Sequence, residues 1–253
     1  MSKTGSVIVT GGASGIGLAV VEELLNEGWR VVAADVVPAN IETARAALSA
    51  FGDRVSFELM DVSDEAQVSD VVARAARDSG PLKGVVNSAG IARDIPALET
   101  SAEVFRKILD VNLIGTFLVA REAAKVMKET GGGSIVNIAS VSGLLGNLGR
   151  SAYGSSKGGV VMLTKILAVE FAAFNIRVNA IAPGPVETPL VKAVHTDEAR
   201  AVWTDRVPLR RYAQPSEMAG AIAFLLDEAK SSYVTGQTIA VDGGFTAGGL
   251  IGL

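Results

Sequence analysis

A tyrosine and a lysine with helical spacing are the side chains in this sequence best suited to transferring a proton. Tyr153 and Lys157 are four residues apart, and Ser140 precedes them at the end of a predicted strand. The i, i+4 spacing places the phenol and the ammonium on one helix face. A phenol acts as a base near pH 7 only if its pKa falls from about 10, and one ammonium at about 4 Å supplies roughly the 4 kcal/mol required. The spacing therefore predicts that Lys157 lowers the pKa of Tyr153.

A glycine-rich turn follows the first predicted strand and opens the first predicted helix. It occupies residues 10–17 and has the spacing G-x-x-x-G-x-G. Glycine permits a tight turn and a close approach of backbone N–H groups to a phosphate, and the positive end of the following helix favours an anion. The turn indicates a site for the pyrophosphate of a dinucleotide.

One carboxylate indicates which dinucleotide we expect. Asp35 ends the second predicted strand, 18 residues after Gly17, where a carboxylate can accept hydrogen bonds from the ribose hydroxyls of an adenosine. The same charge repels a 2′-phosphate. No Arg or Lys stands in the glycine turn or directly after Asp35, where Val36 and Val37 follow. These features predict NAD rather than NADP. The alternative is that Asp35 only caps a loop.

Seven short runs rich in β-branched residues predict the strands that position these side chains. They are residues 6–10, 30–34, 55–59, 84–87, 134–139, 176–181 and 237–241. Amphipathic segments separate them, such as a helix over residues 64–79 with Ser63 as its cap. This alternation predicts an α/β, doubly wound fold with one parallel sheet of about seven strands and helices on both faces. No linker or repeat interrupts it, so we expect one domain over residues 1–253, with a substrate loop at about 185–211.

Composition narrows the classes of function. The net charge of −4 gives no footprint for nucleic acid and no attraction to an anionic membrane, and no stretch is apolar and long enough to span one. Cysteine is absent, which excludes disulfides and thiolate zinc sites and suits the cytoplasm, where we expect the protein. Because His195 is the only histidine, we predict no metal site and expect this residue to be a solvated loop residue.

Taken together, these motifs resemble the short-chain dehydrogenase/reductase family, in its branch of about 250 residues. The likeness extends from Thr10 to Gly244, and the family pattern N-N-A-G is matched with Ser88 in place of its second Asn. It implies a Rossmann fold and a catalytic tetrad. The residues at the tetrad positions are Asn112, Ser140, Tyr153 and Lys157.

The resemblance also implies roles for these residues. Tyr153 would exchange a proton with the substrate oxygen, and Ser140 would hydrogen-bond that oxygen. Lys157 would lower the pKa of Tyr153 and hold the nicotinamide ribose, while Asn112 would hold a water linking Lys157 to solvent. The cofactor-binding residues, combining this likeness with the turn and Asp35, are Gly11, Ser14, Gly15, Ile16, Gly17, Asp35, Asp61, Val62, Asn87, Ala89, Gly90, Tyr153, Lys157, Pro183, Gly184, Val186 and Thr188.

The substrate is expected to be a small molecule, a fairly apolar secondary alcohol or its ketone, and a sugar or polyol stays open as an alternative. The pocket should lie between residues 91–94, 142–147 and 185–203. The expected walls and polar handles are Leu144, Leu145, Val186, Leu190 and Trp203, with Asn147 and Arg93. Three other readings stay open: a carrier-bound 3-oxoacyl reductase of the same family, a non-catalytic NAD-sensing protein and a sugar-nucleotide epimerase. Asp35 argues against the carrier-bound reductase, and the intact tyrosine and lysine argue against the sensing protein. The chain length and the glycine spacing argue against the epimerase.

Hydrophobic residues make up 49% of the chain and charged residues only 20%. With glycine counted and tyrosine left out, the apolar share is about 59%, against roughly 45–50% for an average soluble domain. The segment 155–174 is apolar on more than one side, and a subunit interface would cover it. The family resemblance implies a homotetramer built on this helix and the one that carries Asn112. The uncharged tail, residues 243–253, is either frayed or held in a subunit contact.

Overall fold

Residues 5–248, which this computed structural model describes, contain one sheet of seven parallel strands. The strands are β1 Ser6–Thr10, β2 Arg30–Asp35, β3 Val55–Leu59, β4 Leu82–Asn87, β5 Gly133–Ile138, β6 Ile176–Pro183 and β7 Thr238–Val241. Their order across the sheet is β3-β2-β1-β4-β5-β6-β7, and each neighbouring pair is parallel. This is the doubly wound arrangement that the alternation of strands and helices predicts.

Helices connect the strands and cover both faces of the sheet. They are α1 Gly15–Asn26, α2 Pro38–Ala47, α3 Glu65–Asp78, α4 Ala102–Leu109, α5 Gly115–Met127, α6 Ser151–Phe171, α7 Pro189–Val194, α8 Asp197–Arg206, α9 Ser216–Leu226 and α10 Glu228–Ser231. A π-helical turn, Asp110–Ile114, joins α4 to α5. None of the helices in the described residues is long and apolar enough to cross a membrane.

The core consists of two layers, one on each face of the sheet. In β1, Ile8 packs with α3, α5 and α6 on one face, whereas Val7 and Val9 pack with α1 and α9 on the other. Successive side chains of a strand point to opposite faces, so a strand that is apolar throughout is buried on both. Every residue of β1 is buried, as this requires.

β1 and β4 are neighbours near the centre of the sheet, and the strands follow in chain order outward from each of them in opposite directions, β2 and β3 on one side and β5 to β7 on the other. In such sheets the loops that leave the carboxyl ends of the central strands separate to opposite faces and form a crevice. The glycine turn follows β1, Asp35 ends β2, and Ser140 lies two residues beyond β5. The fold therefore brings these residues to one edge.

Two local expectations were wrong. The N-cap of α3 is Asp64, whose carboxylate accepts hydrogen bonds from the N–H groups of Ala66 and Gln67, while Ser63 instead donates to Asp61. The segment 185–211 is not a plain loop, because it contains α7 and α8, capped by Thr188 and Thr196. The apolar end of the tail, from residue 249 onward, lies outside the described residues.

Candidate active site

A cavity of about 500 Å³ lies at the carboxyl edge of the sheet. It extends from Asp35 at one end to Ser140, Tyr153 and Lys157 at the other. Most of the predicted site residues line it: Gly11, Ser14, Gly15, Ile16, Asp35, Asp61, Val62, Ala89, Gly90, Ser140, Tyr153, Lys157, Pro183, Gly184, Val186 and Thr188. Gly17, Asn87 and Asn112 are not among its lining residues.

The glycine turn requires glycine at several positions for different reasons. Gly11 and Gly15 have φ angles of +61° and +52°, in the left-handed region that side chains disfavour. Gly17 has an ordinary φ, but a Cβ there would lie 2.1 Å from the carbonyl oxygen of Gly11. Gly17 therefore allows α1 to start close against the turn and does not itself line the cavity.

The carboxylate of Asp35 is buried at one end of the cavity, where it accepts hydrogen bonds from two backbone groups. Its Oδ2 accepts from the N–H of Ala13 in the glycine turn at 3.3 Å, and its Oδ1 accepts from the N–H of Val37 at 3.0 Å. A carboxylate has about four acceptor positions, so two N–H groups leave acceptor capacity for a ligand. Asp35 thus both fixes the turn and can bind hydroxyl groups.

The turn after β4 is tied to the end of β1. The hydroxyl of Thr10 accepts from the N–H groups of Ser88 and Ala89, both at 3.1 Å. Asn87 does not line the cavity, and its side chain donates from Nδ2 to Oδ1 of Asn137 at 2.9 Å. The resemblance included Asn87 among the cofactor-binding residues, whereas its side chain makes an interstrand contact.

Helix α6 presents Tyr153 and Lys157 to the cavity beside Ser140. The Nζ of Lys157 donates to the carbonyl oxygen of Ile138 at 2.6 Å and lies 5.9 Å from the ring centroid of Tyr153. Ser140 accepts from the N–H of Ser142 at 3.1 Å and hydrogen-bonds the phenol of Tyr153 through its side chain. The two hydroxyl groups are therefore adjacent at the same end of the cavity.

Burial dominates the protonation of both residues. It raises the pKa of Tyr153, against the opposing effects of the hydrogen bond with Ser140 and the charge of Arg150. It also lowers the pKa of Lys157 to about 8. The prediction that the ammonium brings the phenol close to neutral pH is wrong for the protein's own groups. Lys157 is directed to Ile138, and the cost of a buried phenolate exceeds what the neighbouring groups return.

Asn112 lies in the π-helical turn and is completely buried. Its side chain holds the loop after β4, accepting from the N–H of Ile91 at 2.8 Å and donating to the Ile91 carbonyl oxygen at 2.9 Å. It also donates to the hydroxyl of Ser156, which in turn donates to the carbonyl oxygen of Tyr153. Asn112 thus connects two segments of the site without lining the cavity.

His195 is not the solvated loop residue that the sequence suggested. It is half-buried between α7 and α8 and contacts Arg150, Tyr212 and Trp203. Trp203 stacks on His195 and, like Leu144, Leu145, Asn147 and Arg93, is not among the residues that line the cavity. Of the expected walls, Val186 and Leu190 do line it.

Several lining residues were missed. Lys107 on α4 and Asn40 on α2 border the cavity, and the other missed lining residues are Val36, Val37, Met60, Ser88, Val111, Ile138 and Ala139. Ile91, Pro189 and Val191 also line it, within the predicted pocket ranges 91–94 and 185–203. Helical periodicity places Lys107 near Val111 on one face, but only the position of α4 beside the loop after β4 directs that face to the cavity. In the described residues no group of three or more His, Asp or Glu side chains is arranged to hold a metal ion.

Comparison with known proteins agrees with this architecture. A family model described as Enoyl-(Acyl carrier protein) reductase matches residues 11–246. A cis-4-hydroxycyclohexanecarboxylate dehydrogenase of Sinomonas cyclohexanicum is 42% identical over 241 residues, covering 95% of this chain and 96% of the relative. The 3-oxoacyl-[acyl-carrier-protein] reductase FabG of Thermotoga maritima is 39% identical, covering 94% and 96%.

Two solved structures share the fold closely. That of levodione reductase has a TM-score of 0.92 and 36% identity, covering 98% of this chain and 99% of its own. That of ElxO with NADP bound has a TM-score of 0.90 and 32% identity, covering 97% and 100%. The fold, the site and these relatives define a dehydrogenase/reductase with a dinucleotide-binding fold. The chain belongs to the short-chain dehydrogenase/reductase family, whose members are oxidoreductases.

Proposed function

We propose that this protein interconverts a secondary alcohol and its ketone by hydride transfer with NAD(H), using Asn112, Ser140, Tyr153 and Lys157. The observation that carries the proposal is the single cavity that joins Asp35 to the Ser140, Tyr153 and Lys157 cluster. A dinucleotide has a nucleoside at each end, and this cavity offers a carboxylate for one and proton-transfer groups for the other.

The residues present fit a nicotinamide dinucleotide. Two glycines that line the cavity have little room for a side chain, since a Cβ at Gly15 in the turn would lie 3.4 Å from Thr188 and one at Gly90 in the loop after β4 would lie 3.2 Å from Oδ1 of Asn112. Backbone N–H groups of the turn and the start of α1 favour the pyrophosphate. The predicted cofactor-binding set accordingly stands as our proposal, with Gly17 and Asn87 acting through the backbone they shape.

The chain's own residues account for the proton transfer. A bound nicotinamide supplies the hydride acceptor, and its positive charge in the oxidised state favours the phenolate. Tyr153 exchanges a proton with the substrate oxygen, and Ser140 hydrogen-bonds that oxygen. Lys157 holds the nicotinamide ribose, and its charge favours the phenolate once it is released from Ile138. Asn112 keeps the loop after β4 and helix α6 in register, and its proposed water links Lys157 to solvent.

NAD is the proposed cofactor because Asp35 carries a negative charge where NADP has its 2′-phosphate. Val36 and Val37, the next two residues, also line the cavity and offer no cation to compensate. Because the ElxO structure contains NADP, the test of this proposal is a direct comparison of both cofactors.

The substrate end favours a compact apolar alcohol, and a ring alcohol is our choice. Ile91, Val186, Leu190 and Val191 are among the apolar residues that line the cavity, and all four lie in the segments predicted to form the substrate pocket. The relative with 42% identity acts on cis-4-hydroxycyclohexanecarboxylate, which carries its hydroxyl on a six-membered ring. The second candidate is a carrier-bound 3-oxoacyl reductase, favoured by the similarity to FabG and opposed by Asp35 if that enzyme is to use NADPH.

The experiment is a screen of NADH formation across cyclic secondary alcohols, polyols, hydroxysteroids and 3-hydroxyacyl thioesters, with Tyr153→Phe as the matched control. We expect turnover of a cyclic alcohol and a loss of at least about 100-fold in kcat for Tyr153→Phe, with NADH binding retained, because the ring remains and only the proton-transfer group is removed. NAD binding without turnover of any compound would contradict the proposal and support a sensor. Preference for the thioesters would select the second candidate.

The same proposal includes a homotetramer in the cytoplasm. On α6, the side chains of Met162, Ile166 and Val169 are 55%, 47% and 79% exposed. Ile114 and Phe117, in the π-helical turn and on α5, are also partly exposed apolar residues. Burying these faces against other copies would explain the apolar excess of the sequence.

A further inference from the structure

Arg150 links the start of α6, the helix that carries Tyr153, to two other segments near the cavity: the loop that contains Asp94 and the segment that contains His195. It directly precedes α6, three residues before Tyr153, and its side chain is only 9% exposed. Its Nε lies 3.0 Å from Oδ1 of Asp94, in the loop after β4, and its Nη2 lies 2.9 Å from Nε2 of His195. The guanidinium carbon is 5.1 Å from the ring centroid of Tyr153.

The contact between Arg150 and His195 determines the tautomer of the neutral histidine. A guanidinium has donors and no acceptor, so Nε2 of His195 must accept the hydrogen bond. A neutral imidazole then carries its proton on Nδ1, which donates to the hydroxyl oxygen of Tyr212 at 2.9 Å. Trp203 stacks on the imidazole at 5.9 Å with an angle of 8° between the rings. His195 is therefore held as the neutral Nδ1–H tautomer.

These contacts join the helices beside the cavity to the phenol. His195 lies between α7 and α8, and Leu190 and Val191 of α7 line the cavity. On the other side, the N–H of Ile95 donates to the carbonyl oxygen of Gly149 at 3.0 Å, which brings the Asp94 loop to Arg150. One guanidinium thus contacts both segments while it lies against the ring of Tyr153.

We propose that Arg150 and His195 are positioning residues that hold α7 and α8 at a fixed distance from Tyr153 and so set the affinity for the alcohol. The inference rests on the proposed function for its kinetic consequences. Neither residue lines the cavity, so the pair acts through the position of Leu190, Val191 and the phenol.

A pH dependence follows from the charges around His195. Arg150 at the start of α6 and Arg200 on α8 face it with positive charge, Glu187 before α7 faces it with negative charge, and Tyr212 is neutral. Burial, reinforced by the two cations, lowers the pKa of His195 to about 4. If α7 and α8 moved away from Arg150, His195 would be exposed and its pKa would return to the ordinary value of about 6.5. Acid therefore favours this separation. The KM for alcohol should rise by up to about tenfold between pH 7.5 and pH 5.5.

The test compares His195→Gln with His195→Phe. Glutamine keeps one acceptor for Arg150 and one donor for Tyr212, but it does not titrate, whereas phenylalanine keeps only the ring. We expect His195→Phe to raise the KM for alcohol at least about tenfold, the loss expected for a hydrogen bond to a charged group, with the KM for NAD unchanged. His195→Gln should restore a low KM and remove the acid-dependent rise. Lys192→Gln, an exposed change on α7, is the control.

Three results would overturn the proposal: a normal KM in His195→Phe, equal impairment of both variants, or an unchanged acid-dependent rise in His195→Gln. Tyr212→Phe removes only the hydroxyl and replaces His195→Phe if that variant fails to fold. Amide hydrogen exchange over residues 189–206 needs no substrate and separates this inference from the proposed function. Faster exchange there in His195→Phe but not in His195→Gln supports the linkage even if no alcohol is turned over, and equal exchange contradicts it.

Discussion

Lys157 donates a hydrogen bond to the carbonyl oxygen of Ile138 at 2.6 Å, which fastens a buried ammonium to the last residue of β5. The protein thus carries a charge where burial disfavours it, since the pKa of this lysine is lowered from 10.5 to about 8. The same burial serves the proposed chemistry, because charge acts more strongly away from water. This relationship predicts a conflict between stability and activity at one residue.

Replacing Lys157 with Met should stabilise the protein without cofactor while it abolishes turnover. The unfolded chain binds the lysine proton more readily than the folded one between pH 8 and pH 10.5, so stability rises with pH across that window and the penalty is complete below it. Burying the charged ammonium costs at most about 3 kcal/mol of folding stability. Lys157→Met gains less than this, because it also loses the hydrogen bond to Ile138. Urea denaturation at pH 7 and pH 10 measures it.

The matched control is Lys165→Met, an exposed lysine on the same helix. We expect its stability to follow that of the wild type at both pH values. A lower stability of Lys157→Met than of the wild type at pH 7 would show that the Ile138 contact outweighs the burial of the charge.

Asp35 should control the choice between NAD and NADP. We expect the wild type to prefer NAD in kcat/KM, and Asp35→Asn to reduce that preference at least about tenfold, because the variant keeps an acceptor for Val37 and loses the charge that repels a 2′-phosphate. Steady-state kinetics with both cofactors measures the ratio. Asp61→Asn, at another carboxylate that lines the cavity, should leave the ratio unchanged. A wild type that prefers NADP would contradict the assignment of Asp35.

The sheet and most of the cavity could be predicted because local chemistry determines them. Every predicted strand lies within two residues of its observed bounds. For a strand that is buried on both faces, such as β1, the signal is a continuous apolar run. Turn glycines and strand-end carboxylates are likewise local signals. Ser63 was a plausible cap by type alone, and only the backbone geometry selects Asp64.

The sequence could not predict contacts between distant segments. His195 owes its burial to Arg150 and Tyr212, which are 45 and 17 residues away, so its composition-based description as a solvated residue was wrong. The prediction that Lys157 lowers the pKa of Tyr153 was wrong for a related reason. The spacing indicates that a lysine is near Tyr153. It does not indicate how deeply the phenol is buried, or that the carbonyl group of Ile138 binds the ammonium.

Two glycines in helices should respond oppositely to alanine. A Cβ at Gly17 would meet the carbonyl oxygen of Gly11 at 2.1 Å, and this backbone atom cannot move without opening the turn. A Cβ at Gly220, in α9, would meet nothing within 4 Å. We expect Gly17→Ala to destabilise the protein by more than about 2 kcal/mol and to impair NAD binding, and Gly220→Ala to stabilise it by up to about 1 kcal/mol.

Thermal unfolding together with a fluorescence titration of NADH compares the two variants. Gly220→Ala also serves as the control for Gly17→Ala, because both changes add one methyl group to a helix. Normal NADH binding in a stable Gly17→Ala protein would mean that the close contact between α1 and the turn is not needed for the cofactor site.

The exposed apolar face of α6 should determine the assembly. Val169 is 79% exposed in the single chain, and Glu at this position adds a charge that an apolar subunit contact cannot solvate. We expect sedimentation velocity to give a tetramer for the wild type and smaller species for Val169→Glu. Tyr233→Glu, at a fully exposed residue just before β7, should remain tetrameric. A wild-type monomer, or a tetramer that tolerates Val169→Glu, would remove α6 from the interface and leave the apolar excess of the sequence without this explanation.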